Sequence, residues 1–400
     1  MSFQAVYCSE SCQREAKTIH RFECSCLPTF HSMCIVDQLL LAVRVILKIG
    51  PTELFRLFQH KDPAYDDTEP PLGTEPNCMY DSKSYQTVCH LITHPDKLPV
   101  QKLVVNVLHA LMGTSVLENE TDFFEDVPAE SKMEFKNFVA ALILRHIEAA
   151  RTNAAAATDV EGLENVSFVD SYSGKIAAQK LAKTMDCVKF RKIAPGFYPL
   201  FSLINHSCDP NVFFFNNRRN GTMVVVAHRA LKKGEPVLHA YGHNFFTSEI
   251  RTRQSFLEQQ HHFKCNCVAC KLKWPALPLL RLSDPEPKLC CPVCSKTFFQ
   301  YEKGSNGFKR CLLAAPNLKC GRCGKKYTVA ECNEWINTAN ELSSKIFRLF
   351  KLSRARQAHE LVPRLIDFLQ FHTCPPNGQL WAMQDLLVKT MAIICYYAPE

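Results

Sequence analysis

No run in this 400-residue sequence approaches the roughly 18 consecutive apolar residues that a membrane-spanning helix needs. The most apolar stretch, from Ile35 to Leu47, is interrupted by Asp37 and Arg44. The first residues are polar and carry cysteines, without the basic-then-apolar layout of a secretory signal. No segment recurs at a fixed period across the chain. These absences speak against membrane-spanning and secreted proteins and predict a globular protein of the cytoplasm or nucleus, with no membrane partner.

Cysteine is abundant, with 21 residues, in a chain that is 46% hydrophobic and 22% charged. In a reducing compartment disulfides are disfavoured, and clustered pairs of cysteines there point to zinc. The formal net charge is +8, and its distribution is more informative than its size. Residues 288–326 hold nine Lys or Arg and one acid, Glu302, an excess equal to that of the whole chain. A four-thiolate zinc site is dianionic, so basic groups beside it have a structural use. That use competes with a nucleic-acid partner, for which charge alone speaks.

Apolar periodicity predicts helices beyond residue 26. Val36, Leu39, Leu40, Val43, Ile46 and Leu47 recur at helical spacing until Gly50-Pro51. Val100, Leu103, Val104, Val107, Leu108 and Leu111 mark a second helix. Phe135, Phe138, Val139, Leu142, Ile143, His146 and Ile147 mark a third, on which His146 reads as a core histidine. Residues 61–77 are acidic and proline-rich, as in a loop. Near Gly196 the texture changes: residues 222–228 and 236–240 read as strands joined through a turn at 232–235. Residues 274–287 resemble a linker, and amphipathic helices fill 331–400. Those last 70 residues are too few to establish a helix-pair repeat of about 34.

Two cysteine patterns carry most of the chemistry. Asn205-His-Ser-Cys-Asp-Pro-Asn211 precedes Tyr241-Gly242 and then Cys265-Asn-Cys267-Val-Ala-Cys270. Three closely spaced thiols need a fourth to close a tetrahedral zinc site, and Cys208 can supply it; free cysteines in a loop are the alternative. Cys291-Pro-Val-Cys294 and Cys320-Gly-Arg-Cys323, with Phe298 to Tyr301 between them, form a zinc-ribbon signature. Cys290 and Cys311 lie close enough in sequence to replace one of its ligands. The remaining cysteines, such as Cys89 and Cys187, read as buried apolar thiols.

Residues 196–211, Gly-Phe-Tyr-Pro-Leu-Phe-Ser-Leu-Ile-Asn-His-Ser-Cys-Asp-Pro-Asn, resemble the core of SET domains in the SET-and-MYND (SMYD) family of protein lysine methyltransferases. The resemblance implies an α+β chain: a SET β-fold with a helical insert, structural zinc modules and a helical C-terminal region. It implies S-adenosylmethionine as cofactor, contacted by Asn205 and His206, with Tyr241 at the methyl-transfer centre. Phe263 matches the aromatic that packs on the adenine, and Asn153 an insert asparagine that binds cofactor; both rest on shorter matches. Cys208, Cys265, Cys267 and Cys270 match the post-SET zinc. The serine that usually precedes the tyrosine is Ala240 here. The extra cysteine-rich insert followed by helices looks most like the tetratricopeptide-bearing member.

The N-terminus departs further. Cys8, Cys12, His20 and Cys24 resemble the second half of a MYND zinc finger, leaving collapse around one zinc or a disordered half-finger as alternatives. None of the 14 glycines forms the Gly-x-Gly with which the family's SET domain begins, so the resemblance predicts a chain truncated at its N-terminus. The expected domains are a partial MYND finger (1–26), a helical insert (27–194), SET core and post-SET zinc (195–271), a ribbon-like module (288–330) and a helical region (331–400). Two functions follow. One is a methyltransferase acting on lysines of histone or other proteins; the other is a non-catalytic zinc-bearing scaffold that binds partners through its C-terminal helices.

Why such chemistry would want these groups is physical. A free lysine titrates near 10.4, so a neutral amine at pH 7 costs roughly 4–5 kcal/mol. A narrow aromatic channel lowers that cost by desolvating the ammonium, and oriented oxygen dipoles then align the lone pair.

Overall fold

The computed structural model describes residues 5–7, 9–32, 37–60, 80–161, 189–217, 220–276, 289–295, 317–352 and 354–397. The fold is α+β, and the chain divides into two compact units. The first comprises Met1–Ala157, Ile193–Leu203 and Gln260–His262, and the second the remainder.

The first unit is helical at its core. Helices α1 (Glu10–Ser32), α2 (Asp37–Ile49), α3 (Pro51–His60), α4 (Tyr85–Cys89), α5 (Val100–Glu120) and α6 (Lys132–Asn153) follow in order. The periodic residues of α2 and α6 point inward: Leu39, Val43, Ile46, Phe135, Val139, Leu142 and Ile143 are buried in one cluster. Gly50 ends α2 at φ +85°, and Pro51, whose missing N–H would go unpaired anyway, opens α3. His146 is fully buried on α6, where Tyr85 Oη lies 3.1 Å from its Nε2.

Two expectations change here. Helix α5 forms where periodicity placed it, yet Val100, Val104, Val107, Leu108 and Leu111 are exposed. Its buried face carries Asn106, Ala110, Gly113, Thr114 and Leu117, because Gly113 lets the backbone come close to Leu39 and Val43 of α2. By length and composition α5 is also apolar enough to cross a membrane, which the unbroken-run criterion missed. Its inner face packs against α6, α1 and α2 as a core helix would. The second change is at the N-terminus. Residues 10–32 form one continuous helix that buries Phe22, Cys26 and Phe30, and no half-finger is present among the described residues.

Strands β1 (Ala154–Glu161) and β2 (Lys189–Phe197) pair in a two-stranded sheet inside the stretch expected to be a helical insert, and β2 runs across the boundary drawn at 194. The short helix α7 (Pro199–Ser202) follows.

In the second unit, β3 (Asn205–His206) runs parallel to β6 (Leu238–His239), pairing Asn205 with Leu238 and His206 with His239. Strand β4 (Val212–Asn216) pairs antiparallel with β5 (Met223–Ala227). The two strands read from sequence, β5 and β6, therefore take different partners, and β4 went unread. Helices α8 (Ile250–His261) and α9 (Val268–Lys271) lead to the ribbon hairpin, β7 (Asn317–Lys319) and β8 (Lys326–Thr328). Helices α10 (Val329–Lys351), α11 (Ala355–His372) and α12 (Gly378–Tyr397) pack in sequence around Ile346, Val362, Leu365, Leu369, Met383 and Leu386. Residues 61–79, 277–288 and 296–316, with the expected acidic loop, most of the linker and the ribbon spacer, lie outside the described residues.

Candidate active site

The parallel pairing of β3 with β6 sets Tyr241 beside His206. The Tyr241 backbone N–H donates to His206 Nδ1 at 2.9 Å. An accepting Nδ1 leaves the proton of a neutral imidazole on Nε2, which lies 3.4 Å from Cys208 Sγ. Tyr241 Oη donates to the Ile204 carbonyl at 2.9 Å, and burial raises its phenol above the ordinary range. Phe263 stands 5.9 Å from the His206 ring and 6.3 Å, edge-on, from that of Tyr241. Asn205 is exposed at the strand edge, and its amide makes no hydrogen bond to another described residue.

The backbone is held from both sides. Asn211 is 1% exposed; its Nδ2 donates to the Pro236 carbonyl at 2.8 Å while its Oδ1 accepts from Leu238 N at 2.8 Å. This clamp fixes the approach to β6 and hence to Tyr241. Directly after Tyr241, Gly242 adopts φ +89°, and a Cβ there would stand 3.0 Å from the Phe256 ring. Only glycine meets both conditions.

Asn153 closes α6 in the first unit. Its Nδ2 donates to the carbonyls of Ile92 (2.8 Å) and Ala149 (2.9 Å), so part of its bonding capacity serves the helix terminus.

The Sγ atoms of Cys208, Cys265, Cys267 and Cys270 all lie within 4.8 Å of one another. Cys208 is 3.9 Å from Cys265 and 3.5 Å from Cys270. A tetrahedral zinc with Zn–S near 2.3 Å would separate its sulfurs by about 3.8 Å, so the set fits that ion. Hydrogen bonds from Cys208 and Cys265 hold the Cys267 thiol well below the ordinary range. The cluster also anchors the site, since Phe245 N donates to the Cys208 carbonyl at 2.9 Å.

Cys291, Cys294, Cys320 and Cys323 form a second group within 4.8 Å, with Cys291–Cys323 and Cys294–Cys320 each at 3.5 Å. Cys290 faces away, its Sγ toward the Phe371 carbonyl, and Cys311 lies outside the described residues. Of the four N-terminal candidates, the three described ones do not gather into one site. Cys12, His20 and Cys24 ride on α1, and the 12 residues from Cys12 to Cys24 span about 18 Å of helix. Cys8 lies outside the described residues.

Sequence reasoning missed His239. It is 7% exposed, stands 4.8 Å from the Tyr241 ring, and carries no motif to mark it. Its position next but one before Tyr241, in a predicted strand, was the available signal.

A SET-domain family model matches residues 12–242, more than half of the sequence, and the chain belongs to that family. Within it, the similarity runs to SMYD proteins. Protein-lysine N-methyltransferase SMYD4 of Danio rerio is 24% identical over 386 residues, covering 85% of this chain and 45% of the relative. The Homo sapiens SMYD4 is 23% identical over 317 residues, covering 67% and 36%. Histone-lysine N-methyltransferase SMYD3 of Mus musculus is 24% identical over 271 residues, covering 67% and 47%. The chain spans less than half the length of these relatives.

Proposed function

We propose that this chain is a protein-lysine N-methyltransferase that uses S-adenosylmethionine to methylate lysines of histone or other proteins, working in the cytoplasm and nucleus. The observation that carries the reading is the lock of Tyr241 on His206 and Ile204 within a ring-lined site.

The bound cofactor supplies an electrophilic methyl group on a sulfonium. Asn205 and Phe263 would hold it, and His206 would face it while fixing the Tyr241 backbone. The rings of Tyr241, His206 and Phe263 exclude water from an entering ammonium, which favours its neutral form. Tyr241 Oη and the Ile204 carbonyl supply oxygen dipoles that orient the lysine nitrogen. Zinc in each four-thiol group would be structural. The ion in the Cys208 group ties residues 265–270 to the Asn205–Asn211 motif, and the ion in the Cys291 group folds the ribbon.

Calorimetric titration of S-adenosylmethionine into zinc-loaded protein, beside a variant carrying both Asn205→Ala and His206→Ala, tests this. Saturable binding lost in the variant, followed by methyl transfer to a protein lysine, is expected. A well-folded chain that does not bind would overturn the proposal. That result would favour the second reading, a zinc-bearing scaffold, for which the packed helices α10–α12 speak.

A further inference from the structure

His239 is the least explained residue around Tyr241. It is 7% exposed beside Tyr241, and the sequence motif assigns it no role. Its surroundings are well defined. It is the register partner of His206 across β3 and β6, and its carbonyl accepts from Ser207 N at 2.9 Å. His206 and His239 both stand beside Tyr241, at 5.3 Å and 4.8 Å between ring centroids. Phe214 meets His239 edge-on at 5.8 Å, perpendicular to it, so the imidazole packs against two aromatic rings. The backbone of Tyr241 is held through His206 and its hydroxyl through Ile204, but neither bond fixes rotation of the phenol plane about the axis joining them. His239, buried against the Tyr241 ring, is placed to do so.

We infer that His239 is a positioning residue for Tyr241: its flat ring, packed against both Phe214 and Tyr241, fixes the phenol plane against which a lysine side chain would be aligned. The inference rests on the reading of Tyr241 as lying at the methyl-transfer centre. Shape carries the effect, so a planar replacement serves and a branched or truncated one does not. His239→Phe retains a flat ring there, His239→Leu fills the volume without a plane, and His239→Ala opens a hole beside the phenol.

The test uses the full chain with ring-labelled tyrosine, the Tyr241 signal being assigned by its loss in Tyr241→Phe. Two ring environments in slow exchange are expected for Tyr241 in the parent and in His239→Phe, collapsing to one averaged signal in His239→Leu and His239→Ala. In turnover, kcat should fall about tenfold to a hundredfold in the Leu and Ala variants with KM changed less than about threefold, and return with Phe. An unchanged Tyr241 signal in folded His239→Leu overturns the inference, as does failure of Phe to restore it. Should His239→Ala not fold, the Phe and Leu pair decides alone. The ring signal needs no turnover, so a chain that shows the effect but transfers no methyl group refutes the proposed activity and leaves the positioning role standing.

Discussion

Tyr241→Phe removes one oxygen and leaves the rest of the site in place. The lost group donates a single neutral hydrogen bond, to the Ile204 carbonyl at 2.9 Å. Such a bond contributes about 1 kcal/mol net, and the carbonyl left behind belongs to half-buried Ile204, with exposed Asn205 next to it. The ring contacts to His206, His239 and Phe263 survive, because phenylalanine occupies the same plane. Stability should therefore fall by about 1 kcal/mol or less. If the hydroxyl is one of the dipoles that orient the lysine nitrogen, catalysis should fall much further. Removal of one preorganised dipole costs roughly 10²–10³-fold in kcat, about 2.7–4 kcal/mol. The two numbers separate the roles. Urea denaturation of both proteins gives the first, and transfer of a radiolabelled methyl group to a protein substrate at saturating cofactor gives the second. A loss of turnover below about fivefold would show that Tyr241 is a packing residue and that the transfer centre lies elsewhere.

Three further outcomes follow from the packing. Burial lowers His146 to about 3 from an ordinary 6.5, so the unfolded chain takes up its proton first and stability drops as pH falls from 6.5 toward 3. About 2 kcal/mol should be gone by pH 5, a loss that His146→Gln removes; equal urea midpoints at pH 7 and 5 for the parent would refute it. Metal analysis should find two zinc ions per chain, one of which Cys265→Ser discards, whereas Cys12→Ser with Cys24→Ser changes nothing because α1 keeps those thiols apart. Gly242→Ala should cost roughly 1–3 kcal/mol and depress turnover, since a side chain at φ +89° meets the Phe256 ring; an unaltered melting temperature would count against the strain.

Much of the site could be read along the chain because its chemistry is written in short spacings. Cys265, Cys267 and Cys270 sit within six residues, and Cys208 belongs to the motif that also holds Asn205 and His206, so the four thiols needed only one long-range contact to meet. The helical periods of α2 and α6 likewise predict their buried faces, since packing there follows the apolar stripe. Elsewhere tertiary structure decided. Residues 10–32 carry metal-type spacing yet form a helix, because Phe22, Cys26 and Phe30 share a face that the core covers. Helix α5 turns its apolar stripe outward, because close approach to α2 requires the small Gly113 and not the larger valines. His239 acquires its place only when β3 and β6 pair in parallel, bringing together residues 33 apart whose register no local pattern specifies. Sequence thus determined which atoms could bind metal and which ring could meet a substrate. The long-range strand register, a property of no single segment, determined what stands beside that ring.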